Sequence, residues 1–222
     1  MAIQGGLQPL NAIAQEDINL LIVSPDNKSS YLVVNNITAG GDVSIRAADG
    51  ITGYDNNALI TGDDIIFNTS KGGIGTVEQW VNVNTNDSGG VGGSSLNDVY
   101  IANSRGSNVY VHGTSRIRTT KAGSSITITG AKDVDILGSV VAGGEIGANG
   151  VTFAGNDSTV VVTAGEQLFL DTGLLASKSV TINGGIAGSD DNGLGLLITT
   201  AAGAAAYGLS SDNSGGVITI NN

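Results

Sequence analysis

Short runs with apolar residues two apart, separated by glycine, asparagine and aspartate, recur along almost the whole chain. Typical are Asp42-Val43-Ser44-Ile45-Arg46, Asp64-Ile65-Ile66-Phe67, Trp80-Val81-Asn82-Val83, Asp98-Val99-Tyr100-Ile101, Ser125-Ile126-Thr127-Ile128, Asp133-Val134-Asp135-Ile136, Thr159-Val160-Val161-Val162 and Ser179-Val180-Thr181-Ile182. A spacing of two puts the apolar side chains on one face of a strand. The intervening residues accept positive φ or close Asx turns. Strand starts recur every 16 to 22 residues, as from Asp42 to Asp64 and from Asp64 to Trp80. This is the pattern of a repeat architecture in which each turn of chain contributes a few short strands. Helical periodicity is confined to two short stretches, 10–16 and 200–207.

Two all-β architectures fit many short strands. A β-sandwich anchors its core on a few large rings. Here one Trp, five Tyr and three Phe serve 222 residues, while glycine supplies 35. A parallel β-helix has a narrow interior of stacked Val, Ile, Leu and Ala, with turns in register, and needs no rings. The expected fold is therefore all-β: a parallel β-helix (β-solenoid) of short strands with Gly/Asn-rich turns. At about 20 residues and about 4.8 Å per coil it makes a rod on the order of 50 Å long. Residues 1–16 are expected as a leading segment or N-terminal cover. Residues 17–222 are expected as continuous solenoid repeats, a slice of a longer protein whose open ends invite end-to-end self-association.

Composition removes several functional classes. The nine Lys and Arg against 20 Asp and Glu give a net charge of -11, which repels nucleic acid and anionic membranes. There is no cysteine, so thiolate chemistry and disulfides are absent, and His112 is the only histidine. No apolar stretch is long enough for a membrane-spanning helix. The first residues, Met1-Ala2-Ile3-Gln4, do not read as a signal peptide. Any export signal is expected outside this chain.

Gly41-Asp42-Val43-Ser44-Ile45, the stretch from Asp63 to Thr76 with its Gly73-Ile74-Gly75-Thr76 turn, Asp98-Val99-Tyr100-Ile101 and Gly215-Gly216-Val217-Ile218-Thr219-Ile220 together resemble the repeat units of filamentous-haemagglutinin-type exoproteins. The likeness runs from about Thr38 to Asn222. The resemblance implies a right-handed parallel β-helix, the shaft of a very long adhesin at the bacterial surface or secreted from it. It also implies export through a partner outer-membrane transporter. The Asn-Pro motifs of that family's secretion module do not occur here.

The residues that carry chemistry have bland alternatives. Asp63-Asp64 and Asp190-Asp191, with Asp87 and Asp212, offer oxygen ligands for Ca²⁺. Neighbours in a strand face opposite sides, however, and solvated turn acids are the expected reading. Asp133 and Asp135, with Arg116, Arg118 and Lys121 in the preceding coil, form the best constellation for a polysaccharide-degrading enzyme. Outward strand positions are polar in any case. His112 reads as a surface residue. Thr127, Thr129, Thr181 and Thr219 suggest an ice-binding rank, interrupted at comparable positions by Ser44 and Asp135. The glycines 143–147 lack the following helix that a phosphate cradle needs. Trp80, Tyr100 and Tyr110 form either a carbohydrate- or receptor-contact patch or stacked packing. No catalytic, cofactor or metal residue is assigned. The expected function is a non-catalytic shaft or display segment, extracellular, with a cell-surface receptor or polysaccharide as partner. The alternative is a β-helix polysaccharide-degrading enzyme or a carbohydrate- or ice-surface binding module.

Overall fold

The alternating runs become strands whose hydrogen bonds go to the equivalent run one coil away. The computed structural model describes residues 2–4, 8–23, 30–85, 89–103, 108–111, 116–147, 150–170, 173–184, 196–198, 210–211 and 217–221. Among the described residues there is no helix. Three sheets are built almost entirely of parallel pairs, and the chain visits them in turn as it climbs. The molecule is a parallel β-solenoid.

The first sheet stacks Ala2–Gln4, Ile18–Val23, Val43–Ala47, Ile65–Asn68, Val91–Ser95, Ile117–Thr119, Val140–Val141, Leu174–Ala176 and Ser210–Ser211. The second stacks Leu10–Ile13, Tyr31–Thr38, Leu59–Gly62, Val81–Thr85, Val99–Asn103, Ser125–Gly130, Thr159–Ala164, Ser179–Asn183 and Val217–Asn221. The third opens later, with Val109–Val111, Val134–Ile136, Leu168–Leu170 and Leu196–Ile198. Nine strands at about 4.8 Å give a stack on the order of 40 Å deep.

In the early coils the second sheet has a side branch. Gly50–Gly53 pairs with the first half of Tyr31–Thr38, and Leu59–Gly62 with its second half. Single bridges from Ile51 to Ile74 and from Ile74 to Val99 carry the branch onward. The segments between, 54–58 and 75–80, turn outward at this edge. The one antiparallel element is a hairpin of Gly144–Gly147 and Gly150–Phe153, which projects from the coil after Val140–Val141.

Coils are longer than the strand spacing suggested. Val43 pairs with Ile65, 22 residues on, and Ile65 with Val91, 26 on. Where the hairpin is inserted the step rises to 34, from Val140 to Leu174. The 16-to-22 recurrence mixed strands of different sheets within one coil. The stretch 10–16 is a second difference. Leu10–Ile13 is a strand, and Leu10, Ala12 and Ala14, two apart, pack against the core. The stretch 200–207 lies outside the described residues.

The core is a column of aliphatic side chains in register. Leu20, Ile45, Phe67, Gly93, Ile117, Val140 and Leu174 follow one another up the first sheet. Each fully buried Ile, Leu or Phe contributes about 1.5–3 kcal/mol. Phe67, the one ring in this column, is fully buried, and the next coil places Gly93 above it. A Cβ on Gly93 would lie 2.4 Å from the Phe67 carbonyl oxygen and 3.1 Å from its Cβ, so the position is closed to larger residues.

Where the chain leaves the first sheet, hydroxyls replace hydrocarbon. Thr69 Oγ1 donates to the Gly72 carbonyl at 2.9 Å, Ser124 Oγ donates to Thr119 Oγ1 at 2.7 Å, and the Ser158 and Ser177 hydroxyls meet at 2.8 Å. These buried polar groups satisfy one another and the turn backbone, which removes the cost of leaving them unpaired.

Candidate functional site

The acids of this chain fall into a structural set and a small remainder. Asp17, Asp42, Asp64, Asp98 and Asp133 each stand just before a strand. Each carboxylate accepts the backbone N–H at the same place one coil on. The donors are Asp42 at 2.9 Å, Asp64 at 3.1 Å, Gly90 at 2.8 Å, Ser125 at 2.8 Å and Gln167 at 2.9 Å. Charge-assisted bonds of this kind are the stronger class of hydrogen bond. Asp49 does similar work at a turn, accepting from Ser30 N at 2.6 Å and Ser30 Oγ at 3.2 Å. The backbone bond from Ser30 holds its pKa below the usual carboxylate range. Asp64, half of the Asp63-Asp64 pair, is thus committed to a backbone amide. Among the described residues no group of three or more His, Cys, Asp or Glu is placed to hold a metal ion. Asp87, His112, Asp190, Asp191 and Asp212 lie outside the described residues.

The constellation around Asp133 and Asp135 is not assembled as its spacing suggested. Asp133 is one of the amide acceptors. Asp135 points outward from the third sheet, in register between Tyr110 of the preceding coil and Phe169 of the next. Burial there pushes its pKa up to about 6, with the charge of Asp133 adding to the effect. Arg116 and Arg118 belong to the first sheet, not the third, because a change of sheet separates them from Asp135 within the coil. Lys121 sits in the turn that follows them, its N–H donating to the Leu96 carbonyl at 3.0 Å.

Of the three aromatic candidates, two meet. The Trp80 and Tyr100 rings are 5.7 Å apart and cross at 66°, edge to face. Trp80 Nε1 donates to the Val77 carbonyl at 3.1 Å, which fixes the indole. The Gly73-Ile74-Gly75-Thr76 turn runs beside them. Gly75 has φ +70°, and a Cβ there would lie 2.5 Å from the Tyr100 carbonyl oxygen, so this close approach requires glycine. Burial and the charges of Asp98 and Glu78 raise the Tyr100 pKa. Tyr110 stands apart on the third sheet, where Asn108 Nδ2 donates to its hydroxyl at 2.9 Å.

The threonines form partial ranks on the outer face of the second sheet. Thr127, Val161, Thr181 and Thr219 follow in register, so Val161 breaks the rank. Ser44 and Asp135, expected to interrupt it, lie on the first and third sheets. The neighbouring column is an amide and hydroxyl ladder. Asn183 Nδ2 donates to Thr163 Oγ1 at 3.0 Å, and Asn221 Nδ2 to Asn183 Oδ1 at 2.8 Å. Gly144–Gly147 is a hairpin strand.

The feature missed from sequence is a groove of about 460 Å³ on the outer face of the first sheet. Asp64, Asn68, Ser94, Arg116 and Arg118 line it, and Ile146 of the hairpin overhangs one side. Asn68, Ser94 and Arg118 are partners in three consecutive coils. Ser94 Oγ donates to Asn68 Oδ1 at 3.1 Å, and Arg118 pairs with Glu145 of the hairpin at 4.0 Å. The one legible sign was Arg116-Ile117-Arg118, two cations flanking a buried aliphatic residue. No family model, curated protein or solved structure matches the chain.

Proposed function

We propose that this chain is a non-catalytic shaft segment of a large filamentous adhesin, displayed at or secreted from a bacterial surface. The observation that supports the reading is the unbroken stacking of nine strands in the second sheet, reinforced coil by coil by the aspartate–amide bonds. Such a stack resists bending because each coil is bonded along its length to the next. The resemblance of the Asp-Val-Ser-Ile and Gly-Ile-Gly-Thr units to filamentous-haemagglutinin-type exoproteins supplies the adhesin part of the proposal.

Single-molecule pulling along the solenoid axis tests it. The shaft reading expects high-force extension in steps of about one coil. Extension at low force in a single step contradicts it. The polysaccharide-degrading alternative is favoured by Asp135, a carboxyl group with raised pKa beside two rings. Release of reducing or unsaturated ends from acidic or neutral polysaccharides, lost in Asp135→Asn, would establish that alternative instead.

A further inference from the structure

We infer that the arginine-lined groove on the first sheet binds a carboxylate-bearing oligosaccharide that lies along the solenoid axis. The chain has four arginines in 222 residues and a net charge of -11. Three of the four, Arg46, Arg116 and Arg118, stand on the outer face of this one sheet. Arg46 continues the groove's column, since it pairs with Asn68, which pairs with Ser94, which pairs with Arg118. Random placement of so few cations on so acidic a surface does not concentrate them in a concave strip.

The shape follows from the sequence. Gly93 and Ser94 are small, so the floor drops between Ile66 and Asn68 on one side and the arginines on the other. The hairpin closes one flank with Ile146. The groove therefore offers guanidinium forks for carboxylates, a hydroxyl and an amide for sugar hydroxyls, and apolar walls for the C–H faces of the rings. Its polar partners repeat at the coil spacing of about 4.8 Å, close to the pyranose repeat of an extended polysaccharide. An acidic peptide fits less well, because its side chains alternate from one face to the other.

Existing charges do not block the site. The Arg118–Glu145 pair is exposed, with side chains 40% and 68% accessible, and such pairs are weak and easily exchanged. Arg116 forms no ion pair among the described residues. Acids elsewhere on the solenoid act over a screening length of about 8 Å at physiological salt, so the nearby guanidinium groups dominate inside the groove.

The test is calorimetric titration of the full chain with hexagalacturonate, neutral maltohexaose and a poly-glutamate peptide of similar length. The expected result is binding of hexagalacturonate alone. Arg116→Gln and Arg118→Gln should each weaken it about tenfold or more, the scale of a lost charge-assisted hydrogen bond. Ser94→Tyr fills the groove without changing charge and should weaken binding as much, with an unchanged melting temperature. Lys178→Gln, in the exposed pair with Asp157, is the control and should leave affinity unchanged. No binding, equal binding of maltohexaose or poly-glutamate, or full affinity in Ser94→Tyr would overturn the proposal.

Discussion

Asp64 Oδ1 accepts the backbone N–H of Gly90 at 2.8 Å, across one coil boundary. The same bond recurs from Asp42 to Asp64 and from Asp98 to Ser125, so an aspartate placed just before a strand acts as a rivet between coils. Asp98→Ala leaves the Ser125 amide without its charged acceptor. The expected cost is about 1–3 kcal/mol, or several degrees of melting temperature. Asp157→Ala removes only one side of an exposed ion pair and should be near neutral. Thermal melting of the two variants side by side checks the difference.

The inside and outside of the second sheet make a sharper contrast. Val180 and Ile182 are fully buried, whereas Thr181 between them faces outward. Ile182→Asp would bury an unpaired carboxyl group and open a cavity, at a cost above about 4 kcal/mol. Thr181→Asp should stay within about 1 kcal/mol. Amide hydrogen exchange would localise the loss to the coils around Ile182 in the first variant. Equal protection in both would reverse the inside and outside positions.

Asp135 should make the protein less stable as pH rises. Its folded-state pKa of about 6 lies above the ordinary 3.8, so the folded form holds the proton more tightly. That contribution is complete below pH 3.8 and is lost as pH rises through 6. After discounting for its partial exposure, the loss is about 1–2 kcal/mol by pH 7.5. Asp135→Asn should therefore raise the melting temperature by a few degrees at pH 7.5, with a smaller effect at pH 4.5. Asp49 works in the opposite direction. Its stabilising bond from Ser30 is present at neutral pH and is lost in acid.

The fold was legible because burial and alternation agree. Ile126 and Ile128, Val160 and Val162, and Val180 and Ile182 are all buried as their spacing of two requires. The stretch 10–16 misled because Leu10 and Ala14 are four apart, a helical interval that a strand containing Ala12 also satisfies. The coil length was misread because strands of different sheets look alike in sequence. That misreading hid the groove. Asn68, Ser94 and Arg118 become neighbours only when the steps of 26 and 24 residues between them are known. The same uncertainty joined Arg118 to Asp135, which the chain's path separates onto different sheets.

The account rests most on the linear stacking of coils. The chain has no cysteine, so two introduced cysteines carry spin labels without background. Asn11, Asn36, Leu59, Asn82, Ala102, Thr129, Thr163 and Asn183 form one continuous register on the second sheet. At about 4.8 Å per coil, the backbone separation from Asn11 to Asn183 is about 34 Å and that from Asn36 to Thr163 about 24 Å. Pulsed electron-spin distances on the doubly labelled chain should scale with the number of coils in this way. Two similar distances, or a shorter one for Asn11 and Asn183, would contradict the solenoid.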